Sequence, residues 1–184
     1  MHEPSKEPDL TVEDTTKDFQ YWLNRPYIGA ELRKQLAAAN FLVVPREGFR
    51  ERTEPVFPVG TESLYDFIKN QASDGMKPDI CIEDNDYREL ALHSTLLIIG
   101  GFIVTSLVAP VVVNVISEYI KKKMGPDHAD GTVKCDITVV DENGAAKKIT
   151  YEGPATTFER TVGAAVKKMG TQHGGQKKLP RGKS

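Results

Sequence analysis

The sequence predicts an α+β chain laid out in three successive pieces: a small N-terminal helix and strand module, one long apolar helix, and a C-terminal β-hairpin with an amphipathic helix. Three observations predict it. Residues 90–117 form a run of 28 positions without Asp, Glu, Lys or Arg. Before that run, short apolar stretches alternate with segments whose apolar residues recur at helical spacing. After it, an alternating strand pattern passes through Asn143-Gly144 into a second strand, and a helical pattern follows.

The chain has 184 residues, 39% hydrophobic and 27% charged, which is ordinary globular composition. The charges are segregated. Residues 1–89 hold 11 Lys/Arg against 18 Asp/Glu, whereas residues 90–184 hold 13 against 8. An acidic half and a basic half therefore flank the apolar run.

Residues 1–17 are polar and rich in Pro, Glu, Asp and Thr, and are expected to be disordered because they bury too little apolar surface to offset ordering entropy. The start has no basic stretch followed by an apolar one, so no secretory signal is expected there. Residues 18–89 are expected to form a small acidic α+β module. In it, Phe19, Trp22 and Leu23 share one helical face, Arg25-Pro26 interrupts, and Ile28, Leu32 and Leu36 continue at spacing four, which predicts two short helices. Residues 41–44 and 55–59 are apolar runs bounded by Asn and Pro, predicted as strands, the second confined to a sheet edge by its prolines. Gly60-Thr61 starts a predicted helix over 62–70, and residues 80–82 form another short strand.

Residues 90–120 are expected to form a single apolar helix and a candidate membrane span, because about 1.5 Å of rise per residue carries that length across the roughly 30 Å hydrocarbon core. No polar stripe breaks it, and Pro110 is tolerated better among lipids or neighbouring helices. Gly101, Thr105 and Ala109 fall at spacing four, a small-residue face for helix packing through which the chain could associate with itself. Tyr119 beside Lys121, Lys122 and Lys123 has the character of a membrane interface, with anionic lipid as a partner. A single pass through a membrane is the expectation. Its orientation is contradictory: the basic C-terminal side predicts a cytoplasmic C-terminus, which leaves about 90 acidic residues to cross without a signal. The competing expectation is that residues 94–117 are buried in the core of a soluble α+β subunit or against a partner, with Gly100-Gly101 as a possible break into shorter helices.

Past the Lys triplet, Val133, Cys135, Ile137 and Val139 alternate with polar residues, Asp141-Glu142-Asn143-Gly144 turns, and residues 147–151 return as the partner strand. Thr156 to Glu159 has capping-box spacing, and Phe158, Val162, Ala165, Val166 and Met169 then recur on one helical face, giving a hairpin and helix module over 132–169. Residues 170–184 are expected to be a basic flexible tail, with lipid headgroups a simpler contact than nucleic acid because no aromatic residues interleave the charges.

No catalytic signature emerges, and no enzyme activity or cofactor is expected. There is no Gly-x-Ser-x-Gly, Cys-x-x-Cys or dinucleotide fingerprint, and Gly100-Gly101 lacks the Lys-Ser/Thr of a phosphate loop. Asp127-His128-Ala129-Asp130 has no further His or Cys to complete a metal's ligands and is read as a solvated linker. His93 is placed at the membrane interface, and Glu83-Asp84-Asn85-Asp86 is taken as a helix cap rather than a calcium loop. Cys81 and Cys135, on opposite sides of the apolar run, are expected to be unpaired.

The order of apolar helix, strand 133–140, turn 141–144, strand 147–151 and helix 154–166, with Tyr151-Glu152-Gly153-Pro154 between the last two, resembles small accessory modules of bacterial conflict systems, the effector-associated constant components. The resemblance covers the second half of the chain. It implies a non-catalytic, membrane-associated adaptor of a defence or signalling effector.

Overall fold

The apolar run divides into a strand and a helix. The structure is a computed structural model that describes residues 7–73, 75–91 and 96–171. Eight strands and five α-helices follow one another among these residues: β1 (Asp9–Thr15), α1 (Phe19–Leu23), α2 (Ala30–Leu36), β2 (Phe41–Val44), β3 (Phe57–Pro58), α3 (Thr61–Gln71), β4 (Pro78–Ile80), β5 (Glu89–Leu90), β6 (Leu97–Thr105), α4 (Ala109–Met124), β7 (Thr132–Val140), β8 (Ala146–Pro154) and α5 (Phe158–Thr171). The fold is mixed α+β, as expected, but no helix among the described residues is long and apolar enough to cross a membrane.

Six strands form one sheet in the order β1-β8-β7-β6-β2-β4, and β3 pairs with β5 in a two-stranded ribbon. The pair β6 and β7 is parallel, with α4 as the crossover between them, while β7 and β8 form an antiparallel hairpin to whose outer edge β1 adds antiparallel. Register assigns the two faces. Phe102 and Val104 of β6 lie level with Ile137 and Val139 of β7 and with Val43 and Phe41 of β2, and all six belong to the larger core under α3, α4 and α5. Ile103 and Leu42 point the other way, into a smaller core with Trp22, Leu23, Ile28, Leu32 and Leu36 of the α1 and α2 region.

This two-sided cover explains the misread segment. A strand covered on both faces is apolar at every position, so it lacks alternation and looks like part of an apolar helix. The break falls at Ser106-Leu107-Val108, and α4 starts with Pro110 in its first turn, where a missing N–H costs nothing. Gly101, Thr105 and Ala109 therefore share no helical face. Gly101 and Thr105 lie on β6, four residues apart in a strand, and Ala109 opens α4, fully buried in the larger core. Gly100 has φ +101°, a left-handed value that suits glycine, at a register shift between Ile98 and Gly100.

The interfacial cluster is corrected in the same way. Tyr119 is buried in the core with its ring 5.5 Å from that of Phe67, Lys121 is held by Glu118 and Glu159 at 3.1 Å each, and Lys122 lies 5.5 Å over the Phe67 ring. Lys123 closes the helix as an exposed cation near its C-terminal dipole.

The other expectations fare better. The helices near 19–23 and 30–36, the strand 41–44, the helix after Gly60 and the hairpin with its covering helix are all present. Asp141 Oδ1 accepts from the N–H groups of Asn143 and Ala145 to close the hairpin, and Gly144 adopts φ +82°. Residues 9–15, expected to be disordered, instead form edge strand β1, in register with Ala146 to Glu152. The capping box does not form: Glu159 accepts from Ser117 and Lys121 rather than turning back, and Thr157 donates to the Pro154 carbonyl. Residues 1–6, His93 and residues 172–184 lie outside the described residues. Cys81 and Cys135 are free and buried in different cores, separated by the sheet rather than by a bilayer.

Phe102 is 1% exposed and packs edge-on to Phe41 at 5.6 Å between ring centroids. Its truncation, Phe102→Ala, is expected to cost about 3–5 kcal/mol of unfolding free energy. Urea titration followed by circular dichroism measures it, and a cost below about 1 kcal/mol would contradict two-sided burial of β6.

Candidate functional site: the loop held by Glu47

Between β2 and β3 the chain leaves the sheet and returns through a single bridge, where Arg46 and Val56 exchange backbone hydrogen bonds of 2.8 and 3.0 Å. The loop thus enclosed is anchored by one carboxylate. Glu47 accepts from the Tyr21 hydroxyl at 2.7 Å, the Tyr27 hydroxyl at 2.8 Å and Arg25 Nε at 2.6 Å, tying the loop to α1 and to the turn after it. Arg25 also stacks its guanidinium 4.7 Å from the Tyr21 ring centroid.

The electrostatics follow from these contacts. Burial alone would raise the Glu47 carboxyl, but the hydrogen bonds from Tyr21, Tyr27 and Arg25 outweigh it and hold the group below its ordinary range. Burial and the same carboxylate push the Tyr21 and Tyr27 hydroxyls up. Glu47 is a fixed anion whose donors are fixed neutral phenols and one cation. It is an anchor, with three of its four acceptor sites spent on the protein.

The loop beyond the anchor is strained. Arg50 (φ 48°) and Glu51 (φ 61°) are the non-glycine residues with left-handed backbone among the described residues, at a cost of about 1 kcal/mol or more each. Such conformations persist where the surroundings impose them, and they concentrate at binding sites.

Two cavities flank the loop and share Glu47 and Gly48 as a common wall. The first, of about 710 Å³, lies between the Arg25-Pro26-Tyr27 turn, the loop residues Arg52 to Pro55, and Asp86 and Arg88. Its free charges are of both signs. Arg52, Glu54 and Asp86 form no ion pair among the described residues, and Arg88 donates only to the Asn85 and Tyr87 carbonyls. The second cavity, of about 420 Å³, lies on the opposite side over the sheet, between Lys17 and Trp22 and the side chains of β7 and β8.

Other chemistry-bearing groups are disposed for structure. Ser117 is buried and donates to Glu159 at 3.1 Å, while the Lys121 ammonium is held above its ordinary range chiefly by its hydrogen bond to Glu118, and next by Glu159. Burial raises the Cys81 thiol to about 12 and raises Cys135 well above its ordinary value, which leaves both protonated and inert. Among the described residues no group of three His, Cys, Asp or Glu side chains is placed to hold a metal ion, and Asp127, His128 and Asp130 do not assemble one. Glu83 turns out to accept from the Gly29 N–H at 3.3 Å, next to a one-turn helix at Asp84–Asp86.

The loop residues were not singled out from the sequence. The signal was present as three arginines, Arg46, Arg50 and Arg52, alternating with Glu47, Glu51 and Glu54 between Pro45 and Pro55. The partners that make Glu47 an anchor lie 20 to 26 residues earlier in the chain, beyond the reach of local pattern. Compared with known protein families, with curated proteins and with solved structures, the chain matches none.

Glu47→Ala leaves two phenols and a guanidinium without their acceptor and is expected to cost about 2–3 kcal/mol at pH 7. Because the folded carboxyl titrates below the unfolded value of about 4.3, its contribution is complete above that pH and lost as pH falls through the lower folded value. The raised tyrosines contribute below about pH 10 and lose that contribution as pH rises further. Unfolding titrations from pH 3 to pH 11 should show a plateau with both flanks in the wild type, and Glu47→Gln should flatten the acid flank. An unchanged acid flank would remove Glu47 from the account.

Proposed function

We propose that the chain is a non-enzymatic accessory subunit that recognises an extended segment of a partner protein in the cleft between the Arg25-Pro26-Tyr27 turn and the Glu47 loop. The observation that carries it is the set of charges of both signs without an ion pair among the described residues, Arg52 and Arg88 with Glu54 and Asp86, lining a cleft whose wall is tied down by Glu47. Unpaired charges on a fixed wall discriminate partners, since the matching segment neutralises them and a mismatched one leaves them desolvated. Pro26, Pro55 and the Tyr27 ring supply apolar surface between the charges, and the volume exceeds what one side chain needs.

The role agrees with the likeness of the second half to accessory modules of bacterial conflict systems, which implies an adaptor rather than a catalyst. It requires no membrane span: most apolar residues of β6 and α4 pack into the chain's own core, with Val111 and, between the two elements, Leu107 left exposed. A subunit of a larger complex fits better than a bilayer anchor.

The test is comparative. With full-length chain as bait, crosslinking and affinity capture from the native cell extract should retain one partner that Arg52→Glu/Arg88→Glu loses by about tenfold, with unchanged thermal unfolding of the bait. Retention should weaken as salt rises, because the contacts are between surface charges. Equal retention by wild type and the double variant would sink the proposal.

A further inference from the structure

The second cavity lies over the sheet beside α1, whose Trp22 forms one of its walls. Along β7 the outward positions are Lys134, Asp136 and Thr138, which register sets opposite Glu152, Thr150 and Lys148 of β8. Opposite Asp136 on β6 stands Gly101, whose missing side chain leaves room over the sheet next to Val44. Lys17 enters from the start of α1, with its ammonium 5.3 Å from the Tyr21 ring centroid, and Arg46 enters from the loop.

The charge of this pocket is the reverse of the molecule's. Lys17, Arg46, Lys134 and Lys148 line it against Asp136 and Glu47, and Glu47 is occupied by Tyr21, Tyr27 and Arg25, in a chain whose formal net charge is −2. The lysines are weakly held. Lys134 approaches Glu152 at 3.6 Å and Lys148 approaches Asp136 Oδ2 at 3.9 Å, both longer than a charge-assisted hydrogen bond. Arg46 forms no ion pair among the described residues.

Asp136 is the least expected member. Its Oδ1 is buried without a hydrogen-bond partner, yet its side chain is 32% exposed, so the open edge of the carboxylate is Oδ2, facing the cavity. An orphaned carboxylate oxygen is costly, and asparagine or threonine would suit a merely structural position on this face better. A carboxylate among four cations serves to accept hydroxyl or amine donors from a ligand whose other end is anionic. Carboxylates accept ribose hydroxyls in this way in dinucleotide sites. Phe49, half-buried at the rim of the strained loop, offers a ring face beside the cavity.

We propose that this face binds a nucleoside monophosphate, with the phosphate on Lys134, Lys148, Lys17 and Arg46, a ribose hydroxyl donating to Asp136 Oδ2, and the base against Phe49. The volume of about 420 Å³ falls within the range of small-molecule sites. This site is separate from the mixed-charge cleft, so the two stand or fall independently.

Isothermal titration of the full chain with AMP, ribose 5-phosphate, adenosine and inorganic phosphate tests it. AMP is expected to bind most tightly, ribose 5-phosphate next and inorganic phosphate more weakly, with adenosine weakest. Lys134→Met/Lys148→Met should weaken AMP by at least about tenfold. Asp136→Asn should weaken AMP and ribose 5-phosphate while leaving inorganic phosphate unchanged or tighter, and Phe49→Ala should close the gap between AMP and ribose 5-phosphate. Thermal unfolding of each ligand-free variant shows that the fold is retained. Absence of saturable AMP binding at millimolar concentration overturns the proposal, as does equal AMP affinity in the folded double-lysine variant.

Discussion

The parallel pairing of β6 with β7 is the constraint from which the rest of the molecule follows. Parallel neighbours cannot be joined by a tight turn, so the chain must cross over the sheet, and α4 is that crossover. The crossover lays Val112, Ile116 and Ile120 over the inward side chains of both strands, with α3 and α5 beside it. The other face of β6 then needs its own cover, which α1 and α2 supply over Ile103. On that second face the α1 and α2 core also takes in Val140 at the end of β7 and Ala146 at the start of β8, and the remaining outward positions of β7 and β8 keep a polar surface.

Much of this was legible in the residues. Elements with a clean period, such as α3, α5 and the hairpin around Asn143-Gly144, lie where their spacing placed them. The apolar run misled because burial on two faces erases the alternation that identifies a strand, and a helix of the same composition reads identically. Its one internal clue was Pro110, which fits a helix's first turn better than its middle. Strand β1 was missed for the opposite reason. Its burial is slight, with Asp9, Glu13 and Asp14 exposed, and only Leu10 and Val12 mark the inward side.

The functional surface was less legible than the fold. Glu47 takes meaning from three donors 20 to 26 residues away, and the outer face of β7 becomes a pocket only when Gly101 on β6 leaves space beside Asp136. Both facts belong to pairing between elements. A composition shift, a charge run or a helical period records what one segment does alone. The same limit explains why Tyr119 and the lysines after it passed for an interfacial girdle, when the ring packs on Phe67 and Lys121 bridges α4 to α5 through Glu159.

The first strand of the sheet pairs with the last. β1 joins β8 across more than 130 residues, while α1 and α2, which follow β1 directly, pack mainly against β2 and β6. On a ribosome the early segment has no template until β8 has emerged, and such distant closure slows the search for the native arrangement. Until then this acidic ribbon of seven residues waits unpaired, and once β8 arrives it covers the outer edge of that strand.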